Sequence, residues 1–227
     1  MSPADEPGRG DPEGTVDDGG GADGGGGGRS TATRDALADR RGVETAVYQP
    51  AEDSALLASA AVAHARGRVL EVGTGSGFVA EQLVEAGHDG EVVASDVNPH
   101  ACRQAAERAG GRFAVVRADL LAPFRDGVFE TVLFNPPYLP TDPDNDWGDW
   151  MERALSGGES GRAVVEPFLD DVGRVLAPDG VVLLLVSSLT GYDEVLERAA
   201  AAGLAGEPVR EESYPFETLT VLALRHR

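Results

Sequence analysis

The sequence predicts an α/β domain built on a doubly wound, mostly parallel sheet that ends in an antiparallel hairpin. Short and nearly continuous apolar segments alternate with stretches of helical spacing, which is typical of parallel strands covered by helices on both faces. The first apolar segment runs directly into a glycine-rich turn that opens a helix. At the carboxyl end, two strand-like segments lie only a short turn apart, which favours a hairpin over another crossover.

Seven strands and five helices account for this pattern. The opening helix is predicted because Pro50, Glu52 and Asp53 occupy the first turn of an Ala- and Leu-rich stretch. Helices are predicted at 49–65, 78–86, 99–108, 163–176 and 192–202. Strands are predicted at 68–72, 91–95, 113–117, 131–134, 181–187, 208–214 and 218–224. A polar loop containing both tryptophans separates the fourth strand from the fourth helix.

The composition fits one folded domain behind an unstructured tail. A chain of 227 residues, 41% of them hydrophobic, is long enough for one core of ordinary size. Residues 1–33 hold eleven Gly and seven Asp or Glu but almost no large apolar side chain, so they cannot bury enough surface to offset their chain entropy. We therefore predict a disordered Gly- and Asp-rich tail over 1–33 and a folded domain over 34–227.

The charge of the chain argues against one large class of function. Acidic residues number 39 and basic residues 19, all of them Arg, which gives a net charge of -20. Such a surface repels a phosphate backbone, so direct nucleic-acid binding is not expected. An acid-rich, lysine-free composition is also typical of halophile proteins. The single Cys102, the absence of an apolar run of about 18 residues and the lack of a signal-peptide pattern favour a cytoplasmic protein without disulfides or membrane contact.

A glycine-rich turn, Glu71-Val-Gly-Thr-Gly-Ser-Gly77, follows the first predicted strand, and Asp96 ends the second. Glycines allow the backbone to approach a ligand closely, and an acid at the end of the next strand suits the diol of a ribose. Dinucleotide sites use the spacing G-x-G-x-x-G and two nucleotide-binding halves. Here the spacing is G-x-G-x-G, an acid precedes it and only one half follows, which favours S-adenosylmethionine over NAD.

The segment Asn135-Pro136-Pro137-Tyr138 comes directly after the fourth predicted strand. Two prolines cannot continue a central strand, so the chain must leave the sheet there with its carbonyl groups free. An amide nitrogen or an exocyclic base nitrogen is a poor nucleophile, because its lone pair is delocalised. The Asn135 side-chain oxygen and the Pro136 carbonyl could hold its two N–H groups and aim the lone pair at a sulfonium methyl group, while Tyr138 stacks on its flat face.

Taken in order, the motifs resemble those of the HemK-related protein-glutamine N5-methyltransferases, in particular their compact archaeal and eukaryotic release-factor branch. The resemblance covers roughly residues 42–227 and rests on five segments: 47–54, VLEVGTGSG, DVNP from Asp96, Asp119-Leu120 and FNPPY. It implies a Rossmann-like class I methyltransferase fold with strand order 3-2-1-4-5-7-6. It also implies that the protein methylates the glutamine in the Gly-Gly-Gln loop of the class 1 translation release factor and converts S-adenosylmethionine to S-adenosylhomocysteine.

The resemblance assigns roles to particular residues. Asn135, Pro136 and Tyr138 would be catalytic, and Asn135, Pro137 and Tyr138 would bind the substrate. Asp96 would hold the ribose of the cofactor, and Asp119 with Leu120 would hold its adenine. The remaining cofactor residues would line the methionine end and the glycine turn: Ser54, Glu71, Gly73 and Gly75.

A partner is also implied, because members of this family usually bind a small zinc-binding activator protein. The third strand, 113–117, would lie at an edge of the sheet and offer Ala114, Val115 and Val116 for strand addition. The alternative is that these valines simply face the core.

Two other functions fit part of the sequence. The same Asn-Pro-Pro-Tyr geometry would serve the amino group of a flipped-out adenine in RNA or DNA, although the chain carries no basic surface to present it. A non-catalytic, cofactor-binding scaffold subunit is the third interpretation. The acidic run at Asp142, Asp144, Asp146 and Asp149 is interpreted as a solvated loop and no metal is assigned. Arg162 either shapes the substrate loop or forms a surface ion pair.

Overall fold

One seven-stranded sheet organises the residues that the computed structural model describes, 46–141 and 150–227. The predicted tail and residues 34–45 lie outside this range, as does the acidic run at 142–149. The strands are β1 Val69–Val72, β2 Val92–Asp96, β3 Ala114–Arg117, β4 Phe129–Phe134, β5 Leu176–Ser187, β6 Leu204–Ser213 and β7 Thr218–His226. The helices are α1 Glu52–His64, α2 Phe78–Glu85, α3 Pro99–Ala109, α4 Trp150–Leu155, α5 Val165–Val175 and α6 Tyr192–Ala201. Across the described ranges, no helix is both long and apolar enough to cross a bilayer.

The strand order is β3-β2-β1-β4-β5-β7-β6, as predicted. Strands β1 to β5 pair in parallel, whereas β7 pairs antiparallel with both β5 and β6. The α/β class and the closing hairpin are therefore confirmed. Because β1 and β4 are neighbours while β2 and β3 lie on the far side of β1, the chain changes direction between β1 and β4. A crevice opens at such a switch point, beyond the carboxyl ends of the strands.

The core has two halves, one on each face of the sheet, because successive strand residues point to opposite faces. Leu133 and Leu183 pack with α1 and α2 on one face, and Val132 and Leu184 pack with α5 and α6 on the other. The central strands are buried on both sides, which explains why they read as unbroken apolar runs. A rigid, doubly covered sheet therefore holds the ends of β1, β2 and β4 in fixed positions.

Apart from shifts of up to three residues at the ends of elements, the structure departs from the prediction in three places. The loop that contains Trp150 includes a short helix, α4, whose last residue, Leu155, is buried. Strand β5 begins at Leu176, where the predicted helix was expected to end. Strand β6 begins at Leu204 and continues past Pro208, because Pro208 lies at a bulge in an edge strand, where its missing N–H breaks no ladder.

Candidate active site

A cavity of about 370 Å³ opens where β1, β2 and β4 end. This size suits a cofactor or a ligand of similar dimensions. Every residue to which the sequence assigned a site role lines this cavity: Ser54, Glu71, Gly73, Gly75, Asp96, Asp119, Leu120, Asn135, Pro136, Pro137 and Tyr138. The structure thus brings the predicted residues together, while their individual roles stay predictions.

The turn at residues 73–77, here called the cofactor turn, joins β1 to α2 and is bonded to the end of β2. The Thr74 N–H donates to the Ser95 carbonyl at 2.9 Å, and the Gly75 N–H donates to Asp96 Oδ2 at 2.9 Å. Gly77 has φ +81°, and a Cβ atom there would lie 3.0 Å from the Cα of Ala105 in α3. Only glycine fits this close approach, so the motif fixes the turn against α3.

Glu71 is buried beneath the cofactor turn, with 3% of its surface exposed. Its Oε2 accepts hydrogen bonds from the Thr74 hydroxyl at 2.7 Å and the Ala80 N–H at 3.0 Å. Burial is the main cause that raises the pKa of Glu71 to about 8, and the nearby charge of Asp96 acts in the same direction. A cationic ligand group at this end of the cavity, such as an α-ammonium, would favour the ionised carboxylate.

This burial predicts a pH-dependent stability in the unliganded protein. Since the folded state binds the Glu71 proton more tightly, its contribution to stability is complete below about pH 4.5 and is lost as the pH rises through about 8. We expect the midpoint of thermal unfolding to fall more steeply from about pH 5 to pH 8 in wild type than in Glu71→Gln, which does not ionise. Calorimetry over a pH series measures both slopes, and parallel slopes would contradict the assignment.

Asp96 ends β2 and faces the same cavity. Its Oδ1 accepts the Asn98 N–H at 2.8 Å, while Oδ2 accepts the Gly75 N–H. Burial raises the pKa of Asp96, and the backbone hydrogen bonds oppose that rise. One carboxylate therefore connects the cofactor turn to the end of β2, where a ribose diol would bind.

Leu120 is the only non-glycine residue with positive φ among those described, at +45°. The left-handed region is strained for leucine, and such strain persists only where the surrounding structure holds it. The loop is held by Arg174, whose Nη2 donates to the carbonyl of the next residue, Leu121, at 3.0 Å. This backbone conformation presents Asp119 and Leu120 to the cavity and has no signature in the sequence.

Asn135 begins the loop that leaves β4, here called the exit loop (residues 135–141). Its Oδ1 atom is buried, and no hydrogen-bond donor among the described residues reaches it. A buried acceptor without a partner costs about 1–3 kcal/mol, so the site is built to receive an N–H or O–H donor. Phe134 just before it is fixed against Phe168 at a ring-centroid distance of 4.4 Å, so the start of the exit loop is held rigidly.

Among the residues of the cavity wall that received no role from the sequence, four form two polar or cation–π contacts. Tyr48 lies just ahead of α1, and Asp53 lies in the first turn of that helix. The Tyr48 hydroxyl donates to Asp53 Oδ2 at 2.5 Å. In α4, the Arg153 guanidinium lies 5.2 Å from the centroid of the Trp150 ring. The i, i+3 spacing of Trp150 and Arg153 was the available signal, but a six-residue helix is too short to show a period.

Metal binding has no support in the described ranges. No group of three or more His, Cys, Asp or Glu side chains within 46–141 and 150–227 could hold a metal ion.

The switch-point cavity, the cofactor turn, the acid at the end of β2 and the Asn-Pro-Pro-Tyr exit loop together define a class I methyltransferase that uses S-adenosylmethionine. A family model described as a methyltransferase domain matches residues 69–157. The cofactor would be held by the cofactor turn, Asp96 and the 119–120 loop, all of which line the cavity.

Comparison with three known proteins identifies the family within this class of methyltransferases. A Methanocaldococcus jannaschii protein assigned as a protein N5-glutamine methyltransferase is 35% identical over 179 residues, which cover 78% of this chain and 90% of that protein. Methyltransferase HEMK2 of Homo sapiens is 32% identical over 194 residues, covering 80% and 91%. The Mtq2 structure from the E. cuniculi Mtq2–Trm112 complex, which methylates the eRF1 translation termination factor, superposes with a TM-score of 0.66 at 28% identity, covering 81% of this chain and 100% of Mtq2. The chain belongs to the protein N5-glutamine methyltransferase family.

Proposed function

We propose that this chain transfers the methyl group of S-adenosylmethionine to the side-chain nitrogen of the glutamine in the Gly-Gly-Gln loop of the class 1 translation release factor. The observation that carries the proposal is the buried Oδ1 of Asn135, which lies in the cavity next to the cofactor turn and meets no donor among residues 46–141 and 150–227. An amide NH2 group supplies the donor that this oxygen lacks. The methylation of eRF1 by the relative from E. cuniculi supports the choice of substrate.

The chemistry follows from the positions of the acceptor groups. The bound cofactor supplies an electrophilic methyl group on a sulfonium. Asn135 Oδ1 and the Pro136 carbonyl accept the two N–H groups of the substrate amide, and Tyr138 covers its flat face. As the new N–C bond forms, the C–S bond breaks, and the nitrogen loses one proton to solvent. Orientation of the amide by these acceptors supplies the rate enhancement, so no strong general base is required.

The charge of the cavity favours a protein substrate over a nucleic acid. Its described acidic residues are Asp53, Glu71, Asp96 and Asp119, against one cation, Arg153. Asp53 and Glu71 are buried, and Glu71 is mostly protonated at neutral pH because its pKa is about 8. An RNA or DNA backbone would meet repulsion from Asp96, Asp119 and the net charge of -20, whereas a neutral glutamine side chain would not.

Labelled cofactor tests the proposal directly. The purified protein is incubated in concentrated salt with the release factor, with and without the small activator, and the label is located by mass spectrometry. We expect one methyl group on the glutamine of the Gly-Gly-Gln loop, and none when that glutamine is replaced by alanine. Label on another residue or on added tRNA and rRNA would overturn the substrate assignment. Cofactor binding without any transfer would favour the scaffold function.

We further propose that β3 is the docking strand for a small activator protein, which the family resemblance leads us to expect to bind zinc. Among the strands of the described ranges, β3 is the last at its edge of the sheet, and Val116 is 36% exposed there. An open edge can accept a strand from a partner. Val115 is partly buried against the core, so the two valines have different surroundings. The Mtq2–Trm112 assembly of the relative supports a partner of this kind.

A charge on this edge is expected to weaken the complex. Val116→Lys places a solvated ammonium beside the backbone that the partner would pair with, and we expect at least about tenfold weaker binding of the activator. Val62→Lys is the matched control, because Val62 is 49% exposed on α1, remote from β3. Titration calorimetry with the activator gives both affinities. Equal binding by the two variants would exclude β3 as the docking strand.

A further inference from the structure

The exit loop runs beside the chain that follows α4. The Leu139 N–H donates to the Leu155 carbonyl at 3.0 Å, and the Gly157 N–H returns a bond to the Leu139 carbonyl at 2.9 Å. The Thr141 N–H donates to the Gly158 carbonyl at 2.9 Å. These bonds form a short parallel bridge, so the position of one segment determines the position of the other.

The turn at residues 157–161, here called the clamp turn, lies directly against the backbone of Tyr138. Gly161 has φ +74°, and a Cβ atom there would lie 2.7 Å from the Tyr138 carbonyl oxygen. A Cβ atom on Gly157 would lie 2.4 Å from the Gly161 carbonyl oxygen. Backbone therefore packs on backbone with no side chain between them, and any shift of the clamp turn would be passed on to Tyr138.

Arg162 follows the clamp turn and connects it to the rest of the domain. Its Nη1 donates to the Thr190 carbonyl at 2.6 Å, and its Nε donates to Glu166 Oε1 at 3.2 Å. Thr190 lies just beyond the end of β5, which pairs with β4. The Arg162 side chain is only 22% exposed. Its guanidinium is held between the clamp turn, the loop that contains Thr190 and helix α5. The ion pair, one of the two alternatives for Arg162, is thus one of three side-chain contacts. Nη1 also donates to the Ser160 carbonyl of the clamp turn at 3.5 Å, and its bond to Thr190 reaches the backbone beside the sheet.

We propose that Arg162 is a positioning residue, which anchors the clamp turn to the end of β5 and so sets where the exit loop presents Asn135 and Tyr138 to the acceptor. The inference rests on the proposed function. Arg162 does not line the cavity, so it acts through the exit loop and not by touching substrate or cofactor. Transfer depends on alignment to within about 1 Å, which makes this anchoring consequential for rate.

Arg162→Ala is expected to lower kcat on the release factor by about 10- to 100-fold, the range for a small misplacement of reacting groups. The affinity for the cofactor stays at the wild-type value. Arg162→Lys can still reach the Thr190 carbonyl with one donor and recovers part of the rate. Glu166→Gln removes only the ion pair, so it keeps a wild-type kcat if the bond to Thr190 provides the anchor.

Hydrogen exchange supplies a second measurement that does not need a substrate. In Arg162→Ala the amides of Leu139, Thr141 and Gly157 exchange faster, whereas those of β1 and β4 do not change. Arg112→Ala is the control, because it also removes several side-chain hydrogen bonds but far from the exit loop, between α2 and α3. Wild-type kcat or unchanged exchange in Arg162→Ala would overturn the anchor. An inactive wild type would instead count against the proposed function, and exchange would still decide the role of Arg162.

Discussion

Asn135→Ala is expected to reduce methyl transfer by about 10²- to 10³-fold, the loss typical of removing one preorganised hydrogen-bonding group from a transition state. The variant removes the buried Oδ1, which has no partner within the described part of the chain, and with it one of the two proposed acceptors for the substrate amide. Cofactor affinity should not change, because Asn135 belongs to the acceptor side of the cavity. Single-turnover transfer from labelled cofactor and cofactor binding by calorimetry separate the two effects.

Stability provides an independent check on the same variant. The alanine variant no longer buries an acceptor that the described residues leave without a donor. We therefore expect its midpoint of thermal unfolding to equal or exceed that of wild type. Asn135→Asp is the matched control for chemistry, since it keeps an acceptor oxygen in the same place and should lose less rate. Transfer by Asn135→Ala at the wild-type rate would show that this oxygen does not hold the substrate.

Asp96→Ala is expected to weaken cofactor binding by about 10- to 100-fold, as for the loss of a charged hydrogen bond to a ligand. The side chain also accepts the Gly75 N–H, so the loss combines a missing ribose contact with a less ordered cofactor turn. Asp96→Asn keeps one acceptor oxygen and should weaken binding less.

The control for this prediction is Asp170→Asn. Asp170 forms an exposed ion pair with Arg198 on the helical surface, away from the cavity. Calorimetric titration with S-adenosylhomocysteine measures all three affinities, and saturating cofactor should restore most of the rate in Asp96→Ala. An unchanged affinity in Asp96→Ala would refute the assignment of this residue to the ribose.

Most of the fold was predictable because its determinants are local. Strands buried on both faces are continuous apolar runs, and the glycines and prolines that end them stand in the sequence at the same points. The predicted start of β6 was wrong because Pro208 suggested the end of a strand. In an edge strand a proline can occupy a bulge, as Pro208 does. Helix α4 was missed because it is stabilised by the burial of Leu155 and not by a periodic pattern.

The candidate site was predictable in its residues and much less so in its geometry. Asp96 and Asn135 can be found from their positions after two strands, because the ends of parallel strands meet at one edge. The left-handed Leu120, the contact between Gly161 and Tyr138 and the reach of Arg162 to Thr190 depend on segments distant in sequence. No local pattern specifies such contacts, because each is a property of the assembled sheet and its loops.

The part of the cavity predicted to bind the methyl donor and the part predicted to bind the acceptor come from separate stretches of the chain. The residues assigned to the methyl donor lie between Ser54 and Leu120, whereas those assigned to the acceptor begin at Asn135 and are supported from 155–162. We therefore expect substitutions in the later stretch to change the choice of acceptor while binding of the methyl donor by the earlier stretch is kept. We expect a chimera that joins the residues up to β4 to the later stretch of a methyltransferase of different specificity to bind the same methyl donor. We expect it to methylate the acceptor of that second enzyme.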